Sequence, residues 1–176
     1  RILYAGRLEA HVKRVLSLPR MSEALSRAGV RHHLTITGDG PSMVSLCAMV
    51  QEIERKRGAA TITVTGPRTP TEVASLLTSH DVMVLPSRFE GMSVVMLEAL
   101  AAGCVPVVTN VASGASEAIT DGVDGVLVHV AAEAEDDEVA EQMARGVIRA
   151  AVRLGTLQER AVEKARSCYS IDRHIR

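Results

Sequence analysis

Two glutamates with seven residues between them, Glu90 and Glu98, flank the start of a strongly apolar segment. Residues 94–102 have a helical pattern in which Glu98 is the only polar side chain, and a helix that is apolar on every face is typical of the protein interior. Because an unpaired buried carboxylate is costly, Glu98 must either pair with a core cation or face a polar pocket. The joint spacing of the two glutamates favours the pocket.

The start of the same helix offers backbone hydrogen-bond donors. The first N–H groups of an α-helix have no partner within the helix, and such a helix end binds anions. Gly91 allows a ligand to approach the backbone closely at this point. The donors that we expect to form the anion site belong to Met92, Ser93, Val94 and Val95.

Strand and helix patterns alternate about six times along the chain, which predicts a doubly wound, mainly parallel α/β sheet. The predicted strands span residues 2–5, 34–37, 61–65, 81–85, 105–109 and 125–129. The predicted helices span residues 13–28, 42–57, 70–79, 93–102, 116–120, 135–154 and 156–167, with Pro19 expected to kink or restart the first. In such folds ligands bind at the carboxyl ends of the strands.

The glycine turn Gly38-Asp39-Gly40 follows the second predicted strand and partly matches a dinucleotide-binding fingerprint. Met43 occupies the position of the third glycine, and no acidic residue closes the next strand at the required distance. We therefore interpret this turn, taken alone, as a tight strand-to-helix connection and not as an NAD site.

Composition excludes several classes of protein. The chain has 176 residues, a net charge of −1, two Tyr, one Phe and no Trp, which argues against a nucleic-acid partner. Three widely spaced cysteines indicate neither a disulfide framework nor a zinc site and fit a reducing, cytoplasmic compartment. The longest apolar stretch, residues 94–108, is too short and too interrupted to span a membrane, so we expect no transmembrane segment.

Several motifs together resemble the retaining, GT-B-fold glycosyltransferases of family four. The most specific block is the Glu-x7-Glu region between residues 86 and 108, with its Pro-Ser, Glu-Gly and Leu-Glu-Ala-Leu-Ala-Ala-Gly elements. Residues 5–8 with Lys13 resemble the family's Gly-Arg-Leu…Lys element, and residues 36–41 resemble its Gly-Asp-Gly-Pro turn. Arg14 stands where the family commonly has Gly, and Met92 and Ser93 stand where it has Phe-Gly.

The resemblance implies a role for each of these positions. Arg7 and Lys13, which would otherwise pass as surface charges, are expected to contact the diphosphate of a nucleotide-sugar donor, beside Gly6 and Gly38. Glu98 would accept hydrogen bonds from the ribose hydroxyls, and Glu90 would bind a hydroxyl of the transferred sugar. The residues that the resemblance places around the donor are Gly6, Arg7, Lys13, Gly38, Arg68 at the base edge, Glu90, Gly91, Met92, Ser93, Val94 and Glu98; Arg7, Lys13 and Glu90 would be catalytic.

The same resemblance implies the organisation of the protein. Residues 1–176 would form a single nucleotide-sugar-binding domain, the C-terminal Rossmann-like half of a GT-B enzyme, cut from an N-terminal acceptor domain and inactive alone. The full-length protein would transfer a hexose from a UDP-, GDP- or ADP-linked donor to a glycan, lipid or small molecule. It would retain the anomeric configuration and need neither metal nor other cofactor. Peripheral membrane contact would occur through the missing half.

Two other functions compete with this one. A nucleotide-sugar epimerase of similar architecture would need acid–base residues beside the sugar, and only Glu90 is an obvious candidate. A non-catalytic nucleotide-binding module would bind the same ligand without turnover. The sequence leaves both alternatives open.

Overall fold

A single six-stranded sheet organises the computed structural model, which describes residues 1–58, 61–111 and 114–169. All strand pairs are parallel, and the strand order is β3-β2-β1-β4-β5-β6. The strands are β1 (Ile2–Ala5), β2 (Leu34–Thr37), β3 (Ile62–Gly66), β4 (Val82–Leu85), β5 (Val105–Thr109) and β6 (Val126–Val128). This order confirms the predicted doubly wound sheet.

Helices cover both faces of the sheet. The helices are α1 (Ser17–Arg27), α2 (Met43–Arg57), α3 (Pro70–Ser79), α4 (Val94–Ala102), α5 (Ala115–Ala118), α6 (Asp136–Val152) and α7 (Leu154–Cys168). Helix α1 packs against α2 and α6, while α4 packs against α3 and α7. The four central strands β1, β2, β4 and β5 are buried along their whole length, because apolar runs fit a parallel sheet covered on both sides.

The first helix begins later than its pattern predicted. The expected helix over residues 13–28 starts at Ser17, so Lys13 lies in a loop. Pro19 lies in the first turn of α1, where its missing N–H costs no hydrogen bond. The predicted helix is wrong for residues 13–16, because no helix in the described residues precedes Ser17 for Pro19 to kink or restart, and Lys13 lies on an irregular segment that follows β1.

The order of the strands determines where a ligand can bind. Strand β1 pairs with β2 on one side and with β4 on the other, so the crossovers reverse direction between β1 and β4. Ligands of open α/β sheets bind in the crevice at this switch point, outside the carboxyl ends of the strands. The loops after β1, β2, β3 and β4 all open onto this edge.

Candidate functional site

A cavity of about 470 Å³ opens at the carboxyl edge of the sheet. Its size falls in the range of small-molecule sites. It lies between the loops that follow β1, β2 and β3 on one side and helices α3 and α4 on the other. The residues that line it are Ala5, Gly6, Arg7, Thr37, Gly38, Asp39, Pro67, Arg68, Pro70, Val73, Val94, Val95 and Glu98.

Seven of the residues predicted for the site meet at this cavity, although they come from four different loops or helices. They are Gly6, Arg7, Gly38, Arg68, Val94, Val95 and Glu98. Sequence reasoning did not assign Thr37, Asp39, Pro70 or Val73 to the site. Their position at or just after the end of a predicted strand, or on the first turn of α3, is the signal that could have found them.

Gly38 in the cavity lining and Gly40 two residues further on let the loops after β1 and β2 touch, and these two loops form the floor of the cavity. A Cβ atom on Gly38 would lie 1.8 Å from the carbonyl oxygen of Gly6, and one on Gly40 would lie 2.3 Å from that of Leu8. The two loops are also joined by backbone hydrogen bonds, from the Gly6 N–H to the Thr37 carbonyl at 3.1 Å and from the Leu8 N–H to the Asp39 carbonyl at 2.9 Å. These glycines therefore do more than turn the chain, because they bring the β1 and β2 loops into contact.

Tyr4 supports the same floor from below. Its side chain is fully buried, and its hydroxyl donates a 2.8 Å hydrogen bond to the carbonyl of Arg7. Burial raises the pKa of this hydroxyl, and the nearby Glu90 carboxylate raises it further. The phenol therefore stays a hydrogen-bond donor. The sequence presents Tyr4 only as a strand residue, so this role was not predicted.

The wall of the cavity carries one cation and one anion that have no side-chain partner among the described residues. Arg7 and Glu98 are both exposed at its wall, and neither side chain has a hydrogen bond or ion pair with the described residues. Both remain available to bind a ligand.

Helix α4 is only half buried, which corrects one expectation. Met96, Ala99 and Leu100 are buried against the sheet and α7, whereas Val94 is 69% exposed and Glu98 is exposed on the cavity side. The expectation that α4 is buried on every face was wrong. The expectation that Glu98 faces a polar pocket is confirmed, since Glu98 lines the cavity and has no core cation beside it in the described residues.

The start of α4 keeps its backbone donors free of side-chain caps. The helix begins at Val94 with Ser93 as its N-cap residue, and the Ser93 hydroxyl makes no capping hydrogen bond. Gly91 and Met92 are exposed just before it, and Val94 and Val95 reach the cavity. The first turn of α4 therefore lies at the switch-point edge, where free N–H groups of a helix start can bind an anion.

Lys13 and Glu90, neither of which lines the cavity, form an ion pair with each other. The Lys13 Nζ lies 2.7 Å from Oε2 of Glu90, and both side chains are mostly buried. The hydroxyl of Ser87 donates to the same oxygen at 2.9 Å. The loops after β1 and β4 are also joined by a 2.7 Å hydrogen bond from the Arg88 N–H to the Val12 carbonyl. Sequence reasoning gave Lys13 and Glu90 separate roles and did not predict their pairing.

The loop that carries Lys13 is held at both ends. At its start the Glu9 carboxylate accepts hydrogen bonds from the N–H groups of His11 and Val12. Although desolvation opposes it, this bonding lowers the pKa of Glu9, which therefore stays ionised. At its end the buried guanidinium of Arg14 donates to the carbonyl oxygens of Ala132 and Ala134, at 3.0 and 3.2 Å.

A second cavity of about 790 Å³ lies between the end of α4 and helix α7. It is larger, but it contains none of the predicted site residues and lies away from the carboxyl ends of the strands. We therefore place the candidate site at the smaller cavity.

In the part of the chain that the structure describes, no helix is long and apolar enough to cross a membrane, and no three His, Cys, Asp or Glu side chains cluster as metal ligands.

A model of the family described as glycosyl transferases group 1 matches residues 1–151. The chain belongs to this family. The family assignment made from the Glu-x7-Glu region is thereby confirmed.

Curated relatives of this chain carry different names. It is 30% identical over 128 residues to alpha-D-kanosaminyltransferase from Streptomyces kanamyceticus, covering 72% of this chain and 32% of that protein. It is 35% identical over 128 residues to glycogen synthase from Mycobacterium tuberculosis, covering 71% and 29%. The chain thus spans about a third of the length of the curated relatives it matches.

Solved structures agree with the fold. The pneumococcal O-GlcNAc transferase GtfA, in complex with UDP and GlcNAc, superposes on 94% of this chain and 32% of its own with a TM-score of 0.80 and 18% identity. The chain therefore has the Rossmann-like α/β fold of GT-B glycosyltransferases.

Proposed function

We propose that this chain binds a nucleoside-diphosphate sugar and that the full-length protein transfers the hexose to an acceptor. The observation that carries the proposal is the cavity at the switch point, where Arg7, Glu98 and the uncapped start of α4 face one volume of about 470 Å³. A cation, an anion and free N–H groups in one cavity are complementary to a diphosphate joined to a polyol. The complex of GtfA with UDP and GlcNAc supports this ligand class.

The diphosphate would bind between Arg7 and the first turn of α4. The Arg7 guanidinium is exposed at the cavity wall and has no partner among the described residues, and a guanidinium binds phosphate oxygens strongly. Lys13 is tied to Glu90, so a bound diphosphate would compete with that carboxylate for its ammonium group. Two cations and the helix start would stabilise the negative charge that develops on the leaving nucleotide.

The other parts of the ligand would meet the remaining walls. Glu98 would accept hydrogen bonds from the two ribose hydroxyls, which accounts for an exposed carboxylate on an otherwise apolar helix. Arg68, next to Pro67 and Pro70, would lie along the edge of the base. Glu90, beside Lys13, would hold a hydroxyl of the sugar.

The proposed reaction retains the anomeric configuration, with an oxygen of the leaving phosphate guiding the acceptor hydroxyl. The donor would be linked to UDP, GDP or ADP, and no metal or further cofactor would take part. Residues 1–176 would be the donor-binding half, and the acceptor would bind on an N-terminal domain elsewhere in the protein. This division agrees with a chain that covers about a third of its relatives.

Calorimetry on the 176-residue chain with UDP, GDP and ADP tests the proposal. We expect at least one nucleotide to bind in the presence of EDTA. Glu98→Ala should weaken it about tenfold, because a hydrogen bond to a charged acceptor is worth about 1.5–3 kcal/mol. Glu159→Ala on α7 is the matched control, since it removes another exposed glutamate at the other cavity and should change nothing.

Two results would contradict the proposal. If none of the three nucleotides binds at millimolar concentration, the donor site is wrong. If a nucleotide binds equally to the wild type and to Glu98→Ala, the site remains but the ribose assignment is wrong. Circular dichroism of both variants checks that they fold.

A further inference from the structure

We propose that Ser87 is a positioning residue that orients the Glu90 carboxylate, so that one of its two oxygens is reserved for the ligand. The inference rests on the proposed function, because it concerns how Glu90 meets the sugar. It assigns a task to a serine that precedes Glu90 by three residues and does not line the cavity.

The backbone of Ser87 is fixed by the neighbouring strand. Ser87 is 1% exposed and follows β4 after one proline. The hydroxyl of Thr109, at the end of β5, donates to the carbonyl of Ser87 at 2.6 Å and lies 3.3 Å from that of Leu85. Thr109 is itself buried, so the turn that carries Ser87 is held from inside the sheet.

The Glu90 carboxylate is bonded on one side only. Its Oε2 accepts from the Ser87 hydroxyl at 2.9 Å and from the Lys13 ammonium at 2.7 Å. In the described part of the chain its Oε1 accepts no hydrogen bond. A carboxylate can accept at both oxygens, so this arrangement leaves the lone pairs of Oε1 for an incoming hydroxyl.

The two donors to Oε2 differ in how firmly they are held. Lys13 is a long, flexible cation that a diphosphate would attract away from Glu90. Ser87 is short, buried and tied through Thr109, so it keeps its place when Lys13 turns to the phosphate. A side chain that must present one atom to a ligand needs such a fixed second contact. Ser87 therefore holds Glu90 in the liganded site.

Paired binding measurements with the nucleoside diphosphate that binds the wild type and its GlcNAc and glucose derivatives test this role. Ser87→Ala should leave the affinity for the nucleotide within about twofold, because Glu90 does not touch that part. Ser87→Ala should lower the affinity for the nucleotide sugar about tenfold, which is the loss expected for one hydrogen bond to a charged group. In a Glu90→Ala background, Ser87→Ala should cause no further loss.

Ser22→Ala is the matched control. Ser22 is also fully buried and also bonds a side chain, His32, but at the opposite edge of the sheet. Ser22→Ala should leave the affinities for the nucleotide and for the nucleotide sugar unchanged.

The outcomes separate this inference from the function on which it rests. A wild type that binds no nucleotide contradicts the proposed function itself. If Ser87→Ala weakens the binding of the nucleotide and of the nucleotide sugar equally, the serine has only a packing role and the inference is wrong. The same holds if Ser87→Ala still lowers the affinity for the nucleotide sugar in the Glu90→Ala background. It is also wrong if the sugar adds nothing to the affinity of the wild type.

Discussion

Arg14 combines a backbone suited to glycine with a side chain held in the interior. Its φ of 49° lies in the left-handed region, yet its side chain is only 1% exposed. Burial lowers the pKa of its guanidinium, and the nearby Arg88 lowers it further. Two of its buried nitrogens, Nε and Nη1, find no partner among the described residues. The resemblance leads one to expect glycine here, and the backbone angle gives the physical reason.

Replacing Arg14 by glycine and by alanine separates the backbone from the side chain. Both variants lose the guanidinium and its two hydrogen bonds, but only alanine keeps the strain of a positive φ. We expect Arg14→Gly to be more stable than Arg14→Ala by about 1 kcal/mol. Denaturant unfolding of the two variants measures this difference. Equal stabilities would mean that the loop relaxes to a negative φ once the guanidinium is gone.

At the level of elements, the floor of the cavity depends on contact between the β1 and β2 loops. Gly38 has a φ of 140° and no room for a side chain, because the Gly6 carbonyl, a backbone atom, lies where its Cβ would be. Helix α4 lies across the cavity from this floor. Moving either loop would therefore change the distance between Arg7 and Glu98.

Gly38→Ala should be among the most damaging single substitutions at this site. We expect it to destabilise the chain by about 2–4 kcal/mol, through strain and displacement of the β1 loop, and to abolish nucleotide binding. Gly29→Ala is the matched control, since Gly29 has a φ of 74° but nothing within 4 Å of its added Cβ. The control should lose only about 1 kcal/mol, with binding intact. Similar losses for both variants, measured by urea unfolding, would show that the close approach is unimportant.

Across the whole molecule, the edge of the sheet opposite the cavity carries two half-buried neutral histidines. His32 Nε2 lies 2.7 Å from the Ser22 hydroxyl, and His80 Nε2 lies 2.9 Å from that of Thr35. In each ring Nδ1 faces a backbone carbonyl, so it carries the proton. Burial lowers the pKa of both histidines.

These histidines should make stability depend on pH near neutrality. Their folded pKa values lie below the unfolded value of about 6.5. At a pH between the folded and the unfolded pKa, the unfolded chain therefore binds more protons than the folded chain. The free energy of unfolding should therefore be highest above pH 6.5 and fall as the pH is lowered through this value. The double variant His32→Asn/His80→Asn should show a smaller decrease between about pH 7.5 and 5.5 in parallel urea titrations. An identical decrease in both proteins would contradict this assignment.

The fold was predictable because short apolar runs ending at Gly or Pro alternate with helical patterns. The end of β1 before Gly6 and the position of Pro19 in the first turn of α1 are local signals of this kind. The pairing of Lys13 with Glu90 joins residues 77 positions apart, and the hydrogen bond of Tyr4 depends on how the loop above it folds back. The exposure of Val94 depends on which sides of α4 the neighbouring helices cover. Such relations belong to packing, which no local pattern encodes.

The floor of the cavity has a consequence for protein engineering. Gly38 meets Gly6, and Gly40 meets Leu8, through main-chain atoms, so no side chain takes part in these contacts. Libraries that aim to change the preference for the proposed nucleotide-sugar ligand should leave these glycines untouched. They should vary the side chains of the opposite rim, such as Arg68 and Val73, where new shapes and charges can be introduced without separating the strands.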